Sequence, residues 1–498
     1  MNSTTVRERF AKGAWKTFVP VVCFLLFARL IFAQSAEEAL RYSTLRFGGT
    51  ARGLAAGGAF GAIGADYTSV ISNPAGLALF RKPELMFTMQ LEHIKTDSRY
   101  ENYFTSDDRF NFNIGNFGAA VPIRRKKEDK FKSINFGFGY NRLANFYSDR
   151  YYHSGKTDNS VLQSYANELN GVPHDEISYG SQSFESVLAY DAYLVNPIPG
   201  NNPQYSTVTD NIKVNQQISF ESRGALDEMS LSVAANYDHK IYFGGYLGIP
   251  FLFYKERVLH SEASNSSDSE SFNYFELDQR LNTFAAGVNF KVGVIARASD
   301  WVRLGVAYHT PTFYGMHDDF DSHIYSDFDT VNYPVSSPYG EFDYNLVTPG
   351  RLVASVGAIL KKYAFLSFDY EWVNYGAAHY KMENYYTLTE SDLNYDITRL
   401  YGSAHVFRAG AEVAIEKFRL RGGYAHYGSP YENTGIVGDY DAATSYYTGG
   451  IGIRLKKVYF DFAYARSHTK AVHLTVNDEL LYDDSANDRF MLTTGFRF

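Results

Sequence analysis

Ala364-Phe365-Leu366-Ser367-Phe368-Asp369-Tyr370-Glu371-Trp372 is the stretch that decides the fold. Leu366, Phe368, Tyr370 and Trp372 fall on one face, and Ser367, Asp369 and Glu371 on the other. Alternation with a period of two is the mark of a strand. Here the large residues are aromatic and the opposite face is small or charged. A soluble sandwich buries its apolar face between sheets, whereas a transmembrane barrel turns that face to lipid and its polar face to a lumen.

The same phase recurs along the chain. Val458, Phe460, Phe462 and Tyr464 oppose Tyr459, Asp461 and Ala463; Ile134, Phe136, Phe138 and Tyr140 oppose Asn135, Gly137 and Gly139. Similar segments are predicted near 84 to 94, 109 to 122, 132 to 146, 229 to 239, 241 to 257, 275 to 297, 301 to 314, 343 to 360, 363 to 375, 404 to 415, 418 to 428, 444 to 455, 457 to 467 and 487 to 498. That is about fourteen strands, an even number as single-chain bacterial barrels have. Tight connections fall near Asp238, Ser299, Lys361, Glu416 and Lys456, with a basic one from Arg124 to Lys130. These read as periplasmic turns, and the long polar connections, the longest near 149 to 227, read as extracellular. Both termini are then expected on the periplasmic side.

Composition agrees with a barrel. Tyr and Phe number 41 and 39, yet mean hydropathy is −0.29, because a polar lumen masks the apolar belt. Residues 1 to 33 read as a signal peptide: Arg7, Arg9, Lys12 and Lys16 precede an apolar run from Phe18 to Phe32, with a small-residue cleavage position at Ala33 or Ser35. Cys23, the single cysteine, lies inside that segment, so neither disulfides nor cysteine metal sites are expected beyond it. The net charge of −8 becomes more negative without the basic leader, which argues against nucleic acid as a partner.

Between leader and first strand lies a different composition, from Gly48 to Ala78. It contains Gly57-Gly58 and ends in Asn73-Pro74-Ala75-Gly76-Leu77-Ala78. Small residues permit close backbone packing, and the residue before proline is driven from the helical region into an extended or turn conformation. Residues 34 to 82 are therefore expected to form a plug, or hatch, inside a barrel of residues 83 to 498.

Gly53 to Phe60 followed by Asn73-Pro74-Ala75 resembles the hatch of the FadL/OmpP1/TodX outer-membrane transporters. Ala307-Tyr308-His309-Thr310-Pro311, Thr348-Pro349, Phe407 to Glu412, and Arg421 to Ala425 with Ser429-Pro430 are similar in kind. The resemblance implies a fourteen-stranded barrel that takes up long-chain fatty acids or other hydrophobic molecules without direct energy input. It also implies a wall gap beside a distorted strand, for which Phe136 to Tyr140 and Tyr246 to Phe251 are the stretches able to bulge. The hatch and gating residues are then Asn73, Pro74, Ala75, Gly57 and Gly58.

Phe184, Leu188, Tyr193 and Leu194 form an apolar island in the longest loop, either a ligand-docking lid or a loop packing on itself. Phe496 and Phe498 close an alternating strand and look like a barrel-assembly signal, which implies the assembly machinery, outer-membrane lipid and lipopolysaccharide as partners of a monomer. His309, His317, Asp318, Asp319, Asp321 and His323 match no zinc or calcium spacing and read as solvated acidic surface. Asp369, Glu371, Arg408, Glu412, Arg419, Arg421, Asp461 and Arg497 are expected to bridge charge across the lumen. No nucleophile elbow, metalloprotease helix or Walker loop occurs, so neither enzyme chemistry nor a cofactor is expected. Two alternatives stay open: a surface protein-binding barrel serving a secretion system, and a receptor for haem or another apolar cofactor.

Overall fold

The computed structural model describes residues 35–126, 128–200, 202–264, 272–382, 387–432, 442–474 and 480–498. The expected signal peptide lies outside the described residues. Fourteen antiparallel strands close into one barrel: β1 (Glu84–Tyr100), β2 (Tyr103–Arg124), β3 (Phe131–Asn145 and Ser148–Thr157), β4 (Val214–Tyr237), β5 (Ile241–Ser264), β6 (Phe272–Arg297) and β7 (Val302–His309 and Phe313–Phe328). They continue as β8 (Asn332–Ser336, Gly340–Val347 and Arg351–Leu360), β9 (Ala364–Asn374 and His379–Lys381), β10 (Ser403–Ile415), β11 (Phe418–Tyr427), β12 (Thr444–Arg454), β13 (Val458–Leu474) and β14 (Leu480–Arg497). Closure is made by β1 and β14, paired from Glu84↔Arg497 to Tyr100↔Leu481.

The alternation read from sequence has the expected sense. Leu366, Phe368 and Trp372 are exposed on the outer wall, while Ser367, Asp369 and Glu371 are buried inside. Phe136, Phe138, Leu231, Val233, Phe290, Val292, Phe460 and Phe462 continue the outer belt around the barrel. So large an apolar surface is stable only against lipid. No helix among the described residues is long and apolar enough to cross a membrane, and the crossing is made by strands. The chain is a multi-pass β-barrel of the outer membrane.

Every predicted strand is present, and many run further than expected. β4 begins at Val214 and the upper part of β3 extends to Thr157, so the longest connection shrinks from the expected 149 to 227 to residues 158–213. Above the membrane these strands lose the apolar alternation that made them legible, and backbone pairing alone carries them on. The connection holds α4 (Val161–Leu169), α5 (Phe184–Asp191) and a small hairpin (Val195–Ile198 with Gln204–Thr207).

The N-terminal segment fills the lumen. It comprises α1 (Ala36–Ser43), α2 (Ala51–Ala55), α3 (Tyr67–Ser72) and a 3-10 turn (Pro74–Leu79). Side chains from the neighbouring loops cap the helix starts: Ser35 in a capping box, Thr50 on Gly53 N, Asp66 on Thr68 N, and Asn73 on Ala75 N. The first described residue does not lie at the short-turn side. Ser35 lies high in the lumen, where its carbonyl accepts from Tyr380 Oη at 2.8 Å. The cause is α1, which buries Ala36, Ala39 and Tyr42 among Leu226, Tyr254, Tyr344 and Tyr380.

Candidate functional site: hatch, lumen cavity and side seam

Backbone of the hatch touches backbone of the wall because the wall has no side chain at those points. At Gly244 of β5 a Cβ would fall 2.1 Å from Pro74 C, and at Gly293 of β6 it would fall 2.0 Å from Asn73 Oδ1. Asn73 Nδ2 then donates to the carbonyls of Val294 (3.2 Å) and Val306 (3.4 Å), fastening the Asn73-Pro74-Ala75 turn across β6 and β7. On the opposite wall, Gly57 N donates to Thr448 Oγ1 (3.1 Å), and Gly423 leaves room for Gly57 itself. Gly58 packs against the Phe47 ring.

Charge holds the same interface. Arg52 of α2 pairs with Glu412 of β10 at 2.9 Å; Glu412 also takes Arg421 (2.7 Å), and Arg421 continues to Asp461 (2.8 Å). A second cluster has Arg351 and Arg408 sharing Glu371 at 2.7 and 2.8 Å, with Arg351 also donating to Ser43 O of the hatch. Asp369 accepts from Gly61 N at 3.0 Å, and Arg303 donates to Ile63 O at 2.6 Å. Buried pairs of this kind fix geometry, and losing one partner strands a charge. Asp66, at the start of α3, is buried; burial raises its carboxyl above the usual range against the opposing pull of Arg52 and of the Thr50 and Thr68 hydrogen bonds.

Above the hatch lies a small cavity of about 60 Å3, bordered by Arg46, Thr68, Lys291, His309, Arg351 and Arg408. It has room for a few waters. Lys291 is matched by Glu228 at 3.1 Å. Arg46 instead donates to Thr444 Oγ1 (3.3 Å) and stacks on Tyr427, with no carboxylate partner among the described residues. Two arginines on one glutamate, plus Arg46, leave the cavity cationic.

The wall beside this cavity is not fully laddered. β2 and β3 pair only from Arg124↔Ser133 up to Asn116↔Asn141. Beyond that rung β2 pairs with β1 alone, and the upper part of β3 pairs with β4 alone. β3 shifts register between Arg142 and Ala144 and is interrupted at Phe146-Tyr147, where Phe146 N donates to Gly224 O. Gly224 has φ +134, and a Cβ there would strike Phe253 O at 2.0 Å, so the kink depends on glycine. The unladdered interval is lined by polar side chains: Asn145 donates to Glu92 (3.0 Å) and Asn111 (3.3 Å), and Glu92 also meets Arg489 (3.2 Å). Higher up, side chains alone stitch the two strands, through the Arg109–Asp149 ion pair and Thr105 on Tyr151 O. The hatch reaches this edge, with Arg46 N donating to Leu143 O at 3.4 Å.

Neither a protein-family model nor a curated protein sequence matches the chain. Solved structures do. A Pseudomonas aeruginosa FadL homologue superposes with a TM-score of 0.54 at 12% identity, over 92% of this chain and 100% of that one. The Pseudomonas putida toluene transporter TodX gives 0.52 at 11%, over 91% and 99%. The Ralstonia pickettii toluene transporter TbuX gives 0.50 at 14%, also over 91% and 99%. The fold is that of a FadL-type barrel.

Within this FadL-type barrel the two stretches read as able to bulge behave differently. Phe136 to Tyr140 is paired on both sides, and the seam opens just beyond it. At Tyr246 to Phe251 the β5–β6 pairing lapses between Gly248↔Asn289 and Phe251↔Ala286, around Pro250, which has no N–H to give. The polar edge of the seam was not singled out from sequence, although Asn111, Asn113, Asn116, Asn141 and Asn145 are a visible run of one residue type on two neighbouring strands.

Elsewhere the FadL-type frame relocates several residues. Leu188 and Leu194 are fully buried in a core of α4, α5 and the strand tops, Phe184 is half-buried against Phe320, and only Tyr193 is exposed. His309 leaves the acidic group with which sequence grouped it: it lies in the lumen on Ser72 O at 3.0 Å, while His317 to His323 belong to the upper part of β7. Phe496 lies on the lipid face opposite Leu85, and Phe498 N donates to Pro83 O at 3.0 Å.

Proposed function

We propose that the chain is a passive transporter that admits hydrophobic or amphipathic small molecules across the outer membrane, long-chain fatty acids first among them. The unladdered interval between β2 and β3 carries this reading, because it places the lumen cavity beside a break in the wall. A porin needs no such break. A molecule whose destination is the bilayer does, and its transfer from water is driven by about 0.8 kcal/mol per buried methylene.

An anionic head is favoured by the cationic cavity, and above all by Arg46. The cavity is too small for a long chain, so passage requires residues 45–49 of the hatch to move from the β3 edge. TodX and TbuX are toluene transporters, which makes a neutral aromatic the competing substrate. Uptake of radiolabelled oleate and of toluene, compared in cells with and without the protein, tests both. Oleate uptake should depend on the protein; uptake of both compounds at the background rate would overturn the proposal.

A further inference from the structure

The outer wall carries a feature that ligand passage does not use. Near the short-turn end, an apolar groove of about 430 Å3 is lined by Phe418, Leu420, Ile451, Ile453, Phe460 and Leu492. The lining belongs to β11, β12, β13 and β14, on the lipid face of the barrel. An acyl chain is what the bilayer offers to fill it.

Charge at the groove mouth is one-sided. Arg419, which pairs with Gly452 on the lumen face and borders the lumen mouth beside Glu412 and Arg454, is turned away from it. Lys417 sits over the Phe418 ring at 5.4 Å. The next turn, bearing Lys456 and Lys457, is held alongside: Arg454 N donates to Lys417 O at 2.8 Å, and Phe418 pairs with Ile453. Glu416 is the carboxylate of these two turns. Among the described residues none of Lys417, Lys456 or Lys457 forms an ion pair. Three lysines outside any ion pair thus border one apolar groove.

We infer that this groove binds an anionic phospholipid of the inner leaflet, with an acyl chain along Leu420, Ile451 and Leu492 and the phosphate between Lys417 and the Lys456-Lys457 turn. A zwitterionic lipid brings its own ammonium group and would leave those cations unneutralised. Lipopolysaccharide belongs to the opposite leaflet, at the long-loop end. The inference does not rest on the transport reading.

Native mass spectrometry of the purified barrel, titrated with phosphatidylglycerol or phosphatidylcholine, tests it. Phosphatidylglycerol should be retained selectively. A basic side chain at an anionic surface contributes roughly five-fold in affinity, so the Lys417→Ser/Lys456→Ser variant should bind about twenty-five-fold more weakly. Heat-modifiable gel mobility shows whether that variant is folded. Ile451→Trp, which occupies the groove and keeps every charge, should also lower retention. Equal retention of both lipids, unchanged binding by the folded double variant, or displacement of the lipid by glycerol phosphate alone would overturn the inference.

Discussion

Arg52 of the hatch lies 2.9 Å from Glu412 of the barrel wall, and both side chains are withdrawn from solvent. Glu412 simultaneously holds Arg421, so one carboxylate ties the plug to the sheet that encloses it. Glu412→Gln leaves two buried guanidinium groups undercompensated, and Arg52→Ala removes the hatch anchor; breaking a buried pair costs about 3–5 kcal/mol. Either change should loosen the hatch while the barrel stays closed by its strands. Sensitivity of cells to small polar antibiotics should rise, with gel mobility of the folded barrel unchanged.

Gly244 and Gly245 are adjacent and face opposite ways. A Cβ at 244 meets Pro74, and one at 245 meets nothing within 4 Å. Gly244→Val should displace the Asn73-Pro74-Ala75 turn, at a cost of about 1–3 kcal/mol from overpacking, and make the barrel leaky. Gly245→Ala should behave as wild type in the same permeability assay.

Burial disfavours the ionised form of the Asp66 carboxyl. Its folded pKa is raised, so the penalty is present at neutral pH and disappears as pH falls below the unfolded value, about 4. Asp66→Asn keeps acceptors for Thr50 Oγ1 and Thr68 N, and should match or exceed wild-type hatch stability at pH 7, with the difference vanishing near pH 4. Asp66→Ala loses the cap of α3 and should cost about 1 kcal/mol at either pH. Limited proteolysis of the hatch as a function of pH reads both.

Among the described residues Arg46 is the cavity cation without a carboxylate partner. Arg46→Ala should weaken oleate binding about ten-fold, the size of one charge-assisted hydrogen bond, and leave toluene uptake unaltered. Equal losses for the two compounds would assign Arg46 to hatch packing instead.

Strand number, the lipid and lumen faces, and the hatch turn were legible because each depends on local sequence: alternation, and small residues around Asn73-Pro74. The paired charges were legible only as inward-facing residues, since the choice of Arg52 for Glu412 joins positions 360 apart. The seam was missed because it is an absence of pairing. Phe136 to Tyr140 looked weak in isolation, yet its neighbours Val121 and Val233 hold it in register, while Gly224 and Phe146 shape the break beyond it. Leu188 and Leu194 misled in the other direction: apolar residues in a polar loop marked a small core, not an open face.

The central claim is that ligand leaves through the interval between β2 and β3. Asn111 and Asn145 meet across it through their amide tips at 3.3 Å, and the chain's only cysteine lies at position 23, so Asn111→Cys with Asn145→Cys allows the seam to be locked by a short bis-methanethiosulfonate cross-linker and released by reductant. Oleate uptake should be lost in the cross-linked barrel and return on reduction. Uptake that continues at the wild-type rate through a fully cross-linked seam would contradict the account.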